Sequence, residues 1–127
     1  MALRRGTSWW GVVLDAPDAP ELAHFYARLL DWQVFNESAQ WATVAPSETA
    51  GYNLAFATQP HYVRPVWPTA KGEPQMSMHL DLEVDDLDEA VGHALEVGAE
   101  LAPYQPQEKV RVMIDPAGHP FCLYLGD

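Results

Sequence analysis

The feature that most narrows the fold is an internal repeat. A strand, a helix and three further strands run twice along 127 residues. In the first copy a strand is expected at Trp9–Asp15. A helix then opens at Asp18, with Glu21 three residues on, close to a capping box. Its apolar residues Leu22, Phe25, Tyr26, Leu29 and Leu30 recur at helical spacing and make one buried stripe. Strands are expected at Trp32–Phe35, Gln40–Ala45 and Tyr52–Thr58. In the last, Tyr52, Leu54 and Phe56 alternate with Asn53, Ala55 and Ala57, which presents two different faces.

The second copy follows the same order. Ser77–Val84 reads as a strand, and Asp85 or Asp86 caps a helix carrying Leu87, Ala90, Val91, Ala94 and Leu95. Gly98 is placed to end that helix with a positive φ. Strands are expected at Glu100–Tyr104, Val110–Ile114 and Phe121–Leu125, with Asp115-Pro116-Ala117-Gly118 as a turn before the last. Matching points lie about 68 residues apart, as Asp18 and Asp86 do. A repeat that long in so short a chain means two copies and not a solenoid. Between them Pro60, Pro65, Pro68 and Pro74 exclude a helix and call for an extended linker.

One copy is too small to cover both faces of its sheet. The expectation is therefore a single α+β domain of two βαβββ units, with curled mixed sheets forming a cleft and helices packed outside. Unit one should span about residues 7–58, the linker about 59–75 and unit two about 76–127. With 48% hydrophobic and 20% charged residues, the chain has the composition of a globular protein. No apolar run approaches the ~20 residues needed to span a bilayer. The basic start, Met1 to Gly6, lacks the apolar run of a signal peptide. A lone cysteine, Cys122, excludes an internal disulfide and suits a reducing cytoplasm. The net charge of −11 argues against nucleic acid and anionic lipid as partners.

Three stretches sharpen the pattern. Met78-His79-Leu80-Asp81-Leu82-Glu83-Val84-Asp85-Asp86 resembles the fifth strand and following helix cap of the glyoxalase / bleomycin-resistance / extradiol-dioxygenase superfamily, the vicinal oxygen chelate proteins. Asp115-Pro116-Ala117-Gly118-His119-Pro120-Phe121-Cys122-Leu123 resembles its final hairpin. Trp67-Pro68 before Pro74-Gln75 resembles the linker of a glyoxalase-like subgroup. The resemblance covers nearly the whole chain.

Metal-dependent members hold one divalent ion on four side chains, from the first, fourth, fifth and eighth strands, usually His, Glu or Gln. The resemblance carries those positions onto Gly11, Asn53, His79 and Cys122. Only His79 is a conventional ligand. Gly11 has no side chain, Asn53 is a weak neutral donor, and Cys122 is soft. The usual divalent metal site is therefore expected to be missing, with no stoichiometric Mg²⁺, Mn²⁺, Ni²⁺ or Fe²⁺ and no cofactor.

Alternation puts His79 at mid-strand on the same face as Asp81, opposite Leu80 and Leu82, and so toward the cleft. They are either a hydrogen-bonded polar pair in a vestigial pocket, ligand contacts, or an acid/base pair. Cys122 shares its face with Pro120 and Tyr124. It reads as a small buried hydrophobe, as a thiolate activated by His79, or as a zinc ligand with His79 and Asp81. Trp9 shares the face of Gly11, where the missing side chain leaves room, and Trp67 lies in the linker. Both are candidates for the wall of an aromatic pocket. Trp32 and Trp41 read as core or sheet-edge residues, and His24, His61, His93 and His119 as surface residues. The acids of Asp85–Glu89 read as helix-cap charges.

The leading reading is a cytoplasmic small-molecule binder for a drug or metabolite, with a largely apolar, aromatic-walled cleft. Its ligand-binding set is His79, Asp81, Asn53, Gly11, Cys122, Trp9, Trp67 and Tyr124. A homodimer is expected, because members of this size commonly pair and open sheet edges need cover. The rival is a lyase or isomerase using His79 with Asp81 or Cys122.

Overall fold

The computed structural model describes residues 9–126. Both repeats form, each as a unit with its own four-stranded sheet. The first unit runs to Tyr62 and the second begins at Val63, so most of the linker belongs to the second. No helix among the described residues is long and apolar enough to cross a membrane.

Unit one contains β1 (Trp10–Ala16), α1 (Ala19–Leu30), β2 (Gln33–Phe35), β3 (Trp41–Ala45) and β4 (Tyr52–Thr58). The sheet order is β1-β4-β3-β2, with β1 parallel to β4 and the other pairs antiparallel. Asp18 caps α1: its carboxylate accepts the Glu21 N–H at 3.2 Å. The Ala19 N–H is held by Thr58 Oγ1 at 2.9 Å, which ties the helix start to the end of β4. Leu22, Phe25 and Tyr26 are buried on the sheet, and Tyr26 stacks on Phe56 with ring centroids 5.6 Å apart. Leu29 and Leu30, from the same stripe, are half-buried. Trp32 falls just before β2, half-buried, with its ring 5.9 Å from Tyr52.

Unit two contains β5 (Leu80–Val84), α2 (Leu87–Glu96), β6 (Glu100–Leu101), β7 (Val110–Ile114) and β8 (Pro120–Leu125). Its order, β5-β8-β7-β6, repeats that of unit one, again with the first pair parallel. Asp86, not Asp85, is the cap of α2 and accepts the Glu89 N–H at 3.0 Å. Gly98 takes φ 117° after the helix, as the positive-φ expectation required. Leu80, Leu82 and Val84 are half-buried and Asp81 and Glu83 exposed, so the strand alternates as its pattern predicts.

The expected β2 and β3 each lose their first residue, and two strands of unit two are shorter still. The expected strand Glu100–Tyr104 stops at Leu101. Pro103 has no N–H to donate; the Ala102 N–H still reaches the Val112 carbonyl at 3.0 Å, and the Gln105 carboxamide joins it in the pairing with Val112. Its oxygen accepts the Val112 N–H at 2.8 Å and its nitrogen donates to the Val112 carbonyl at 2.9 Å. The expected strand Ser77–Val84 begins only at Leu80, so His79 lies at its entry and not at mid-strand. The Leu80–Phe121 register sets Pro120 opposite His79, and proline offers that ladder no donor.

The turn before β8 is built around a carboxylate. Asp115, 2% exposed, accepts the N–H groups of Ala117 and His119, both at 2.9 Å. Gly118 closes the turn at φ 96°, and Arg64 of the linker donates to the Pro116 carbonyl at 3.0 Å. His119 is consequently half-buried, where a surface position was expected; His24, His61 and His93 are exposed.

Candidate functional site

The predicted site residues other than Trp67 fall into two groups, one in each unit. In unit one, Gly11 of β1 stands directly beside Asn53 of β4 in the parallel ladder. A Cβ added at Gly11 would lie 2.1 Å from Asn53 Oδ1. The space left by the glycine is thus filled by the neighbouring carboxamide. Asn53 and Trp9 line a cavity of about 420 Å³ with Phe35, Thr43, Ala45 and Ser47. Thr43 is buried and donates to the Phe35 carbonyl at 3.0 Å.

In unit two, His79, Asp81, Cys122 and Tyr124 share the wall of a cavity of about 290 Å³ with Gln107 and Lys109. His79 Nε2 is 3.1 Å from Asp81 Oδ1. Asp81 pairs with Cys122 across the β5–β8 ladder, and its carboxylate accepts a hydrogen bond from the thiol. The imidazole nitrogen, carboxylate oxygen and thiol sulfur all lie within 4.8 Å of one another. Burial first, and then the charge of Asp81, pushes the Cys122 thiol up to about 11. A nucleophilic cysteine needs the opposite shift.

Counted from the helix caps, Gly11 corresponds to His79; Gly11 stands beside Asn53 in its ladder, and the Leu80–Phe121 register run back one place sets His79 opposite Pro120. The ladder partner of Cys122 is Asp81.

Trp67 is not in the wall of either cavity; it is half-buried, and its indole nitrogen is buried without a hydrogen-bond partner among the described residues. The walls are also more polar than an aromatic-lined cleft. Trp9 and Phe35 are the aromatic lining of the first cavity, and Tyr124 that of the second. Gln107 and Lys109 escaped the sequence reading because they stand in an irregular loop before β7, where no alternation assigns a face. Thr43 was legible in principle, as the one polar residue of a small apolar strand.

Of the four positions that the family resemblance assigns to a divalent ion, two offer poor donors for a hard cation. Glycine contributes nothing at position 11, and the Asn53 carboxamide lies over it where a ligand side chain would have to project. Cys122 presents sulfur where an oxygen-preferring cation needs oxygen.

Two sheets of order β1-β4-β3-β2 and β5-β8-β7-β6, each with one helix, define the class: a vicinal-oxygen-chelate-type α+β protein. The chain belongs to the family described as the glyoxalase-like domain, whose profile matches residues 11–124. Solved structures share the fold at low identity. A glyoxalase/bleomycin resistance protein/dioxygenase family enzyme from Burkholderia phytofirmans aligns with TM-score 0.64 and 18% identity over 93% of this chain and 98% of its own. A fosfomycin resistance protein from Mesorhizobium loti aligns with TM-score 0.60 and 14% identity, over 98% and 95%. A glyoxalase-related enzyme from Fulvimarina pelagi gives 0.62 and 17%, over 91% and 86%. No curated protein matched the chain.

Proposed function

We propose that the protein binds a small organic molecule, a drug or metabolite, without the hard-cation centre of its metal-dependent relatives. The observation that carries this reading is the cavity of unit two. It sets the His79–Asp81 pair, the Tyr124 side chain and the Lys109 ammonium around one concave surface. A few convergent polar groups in a cavity of this size are what orients a small ligand. Lys109 and His79 suit a ligand with an anionic or hydrogen-bond-accepting group, and Val110 and Leu125 suit an apolar body. Trp9 and Asn53 offer a second contact surface in unit one. One fold relative is a fosfomycin resistance protein, which makes antibiotic-sized compounds the first to screen.

Native mass spectrometry of freshly purified protein tests this directly. A retained compound, released on denaturation, supports the reading. His79→Ala should then weaken binding by about tenfold or more, while leaving the fold intact because it removes no core side chain. Binding unchanged in His79→Ala would place the ligand elsewhere.

A second reading is favoured by the same His–Asp pair. At 3.1 Å, Asp81 can orient the imidazole for proton transfer, the arrangement a lyase or isomerase would use. Turnover that disappears in both His79→Ala and Asp81→Asn would select it over pure binding. We further propose a cytoplasmic homodimer. The lone cysteine supports the compartment, and exposed Trp10 and Val13 on the edge strand β1 support pairing. Light scattering should give twice the 14.2 kDa chain mass at micromolar concentration, and the single-chain mass would refute the dimer.

A further inference from the structure

The unit-two group has a property that neither binding nor acid/base work requires. Its three side chains present three different donor atoms, a ring nitrogen, a carboxylate oxygen and a sulfur, to one small volume. We propose that His79, Asp81 and Cys122 form a three-donor site for a borderline-soft divalent cation, zinc above all, with a fourth position open to the cavity.

The donor chemistry selects the metal. Sulfur and imidazole suit zinc, whereas magnesium, calcium and manganese prefer oxygen. Three protein ligands with a fourth position left open is a zinc arrangement that admits water or another small ligand. The distances are close to what the ion needs. Zinc–nitrogen and zinc–oxygen bonds of roughly 2.0–2.1 Å in a tetrahedron place those two donors about 3.3 Å apart. His79 Nε2 and Asp81 Oδ1 already stand at 3.1 Å. The sulfur must close from within 4.8 Å to about 3.6 Å, a change within reach of side-chain rotation at the half-buried Cys122.

The backbone favours the same conclusion. Asp81 and Cys122 are direct partners in the parallel ladder, so their side chains rise side by side from one sheet face. His79 reaches the group from the entry of β5, outside the ladder, and its ring can tilt without breaking a strand hydrogen bond. The site lies wholly within unit two and uses Asp81, which is not among the four positions that relatives use. It therefore replaces the missing hard-cation centre with a different donor set.

The inference concerns the metal alone and stands apart from the organic ligand proposed above. The test is equilibrium dialysis of metal-stripped full-length protein against Zn²⁺ and, separately, Mg²⁺, with elemental analysis, and cobalt substitution followed by absorption. The expected result is about one zinc per chain, no magnesium, and a sulfur-to-cobalt charge-transfer band. Cys122→Ser should abolish that band. His79→Ala and Asp81→Asn should each weaken zinc by more than about tenfold, since even the loss of an outer-shell partner has that effect. Circular dichroism confirms that each variant is folded, and the cobalt spectrum of the unmodified protein decides the matter if one is not. Substoichiometric zinc, zinc that is unchanged in His79→Ala, or cobalt bound without the sulfur band would overturn the site. A retained organic ligand in zinc-free protein would leave the binding reading standing while the metal site fails.

Discussion

In the first unit, α1 drives Leu22, Phe25 and Tyr26 down onto β3 and β4, and all three are fully buried. In the second unit the corresponding helix, α2, fully buries Ala94 alone, and Leu95 of its apolar stripe is 47% exposed. The sheet of unit two is held instead by Met113, Phe121 and Leu123 of its own strands, and by the Asp115 turn. Two copies of one pattern have thus diverged. The first has its large side chains under the helix. The second has a thin helix interface and gathers titratable groups on its open face. A repeat gives the scaffold twice, and the side chains decide which copy carries stability and which carries chemistry.

The largest expected effect tests that contrast in the cores. Phe25→Ala leaves a cavity beneath α1 and should destabilise the protein by about 3–5 kcal/mol. Leu95→Ala, in the apolar stripe of the thinner helix, should cost far less, because Leu95 is already 47% exposed. Urea unfolding followed by circular dichroism measures both. Equal losses would mean that the two helices bear equal loads and would break the comparison.

A smaller loss is expected in the turn that only unit two possesses. Asp115→Ala strips the acceptor from one buried and one part-buried N–H group and should cost about 1–3 kcal/mol. Asp115→Asn keeps one acceptor oxygen and should recover part of that loss. If Asp115→Ala is neutral in thermal unfolding, the buried carboxylate is not what holds β8 in place.

The fold was largely legible because it depends on periodicity. Leu22, Phe25 and Tyr26 announced α1, Asp18 and the Asp85–Asp86 pair marked the helix starts, and Asp115 to Gly118 marked the last hairpin. Boundaries failed where a single backbone donor decided them, as at Pro103 and at Pro120 opposite His79. The site was half legible. Alternation put His79, Asp81 and Cys122 together, but the protonated state of Cys122 depends on desolvation and on the carboxylate beside it, which no one-dimensional pattern displays. The filling of the Gly11 space by Asn53 was invisible for a similar reason: it needs the register of β1 against β4.

That register yields the next prediction. Gly11→Ala forces the new methyl against Asn53 Oδ1, and the side chain must swing away, at about 1–3 kcal/mol. In an Asn53→Ala background the same change should cost less, with only the residue-53 backbone carbonyl, 3.0 Å from the new Cβ, left to crowd it. The double-mutant cycle should therefore show a coupling of about 0.5–3 kcal/mol. Additive losses would show that the carboxamide does not fill the space over the glycine.

The smallest effect on stability, and the most specific readout of unit two, comes from Cys122. Its folded pKa, about 11, is raised from the ordinary value of 9.0, first by burial and then by Asp81. A raised pKa means that the native state favours the protonated thiol. Its contribution to stability is therefore complete below pH ~9 and is lost as pH climbs toward ~11. Because the group is only half-buried, solvent screens that contribution, and the thiol itself reports better than unfolding does. Alkylation of the metal-free native protein by iodoacetamide should be slow at pH 8 and should rise with a midpoint near 11. Asp81→Asn removes the nearby charge and should move the midpoint downward, though not back to the value of an exposed thiol, because burial is the larger cause. The facing pair of unit one, Gly11 and Asn53, carries no ionisable side chain. A midpoint near 9 in the parent protein would mean that Asp81 and burial do not hold the proton on Cys122, and the chemical asymmetry between the two units would then rest on His79 and Asp81 alone.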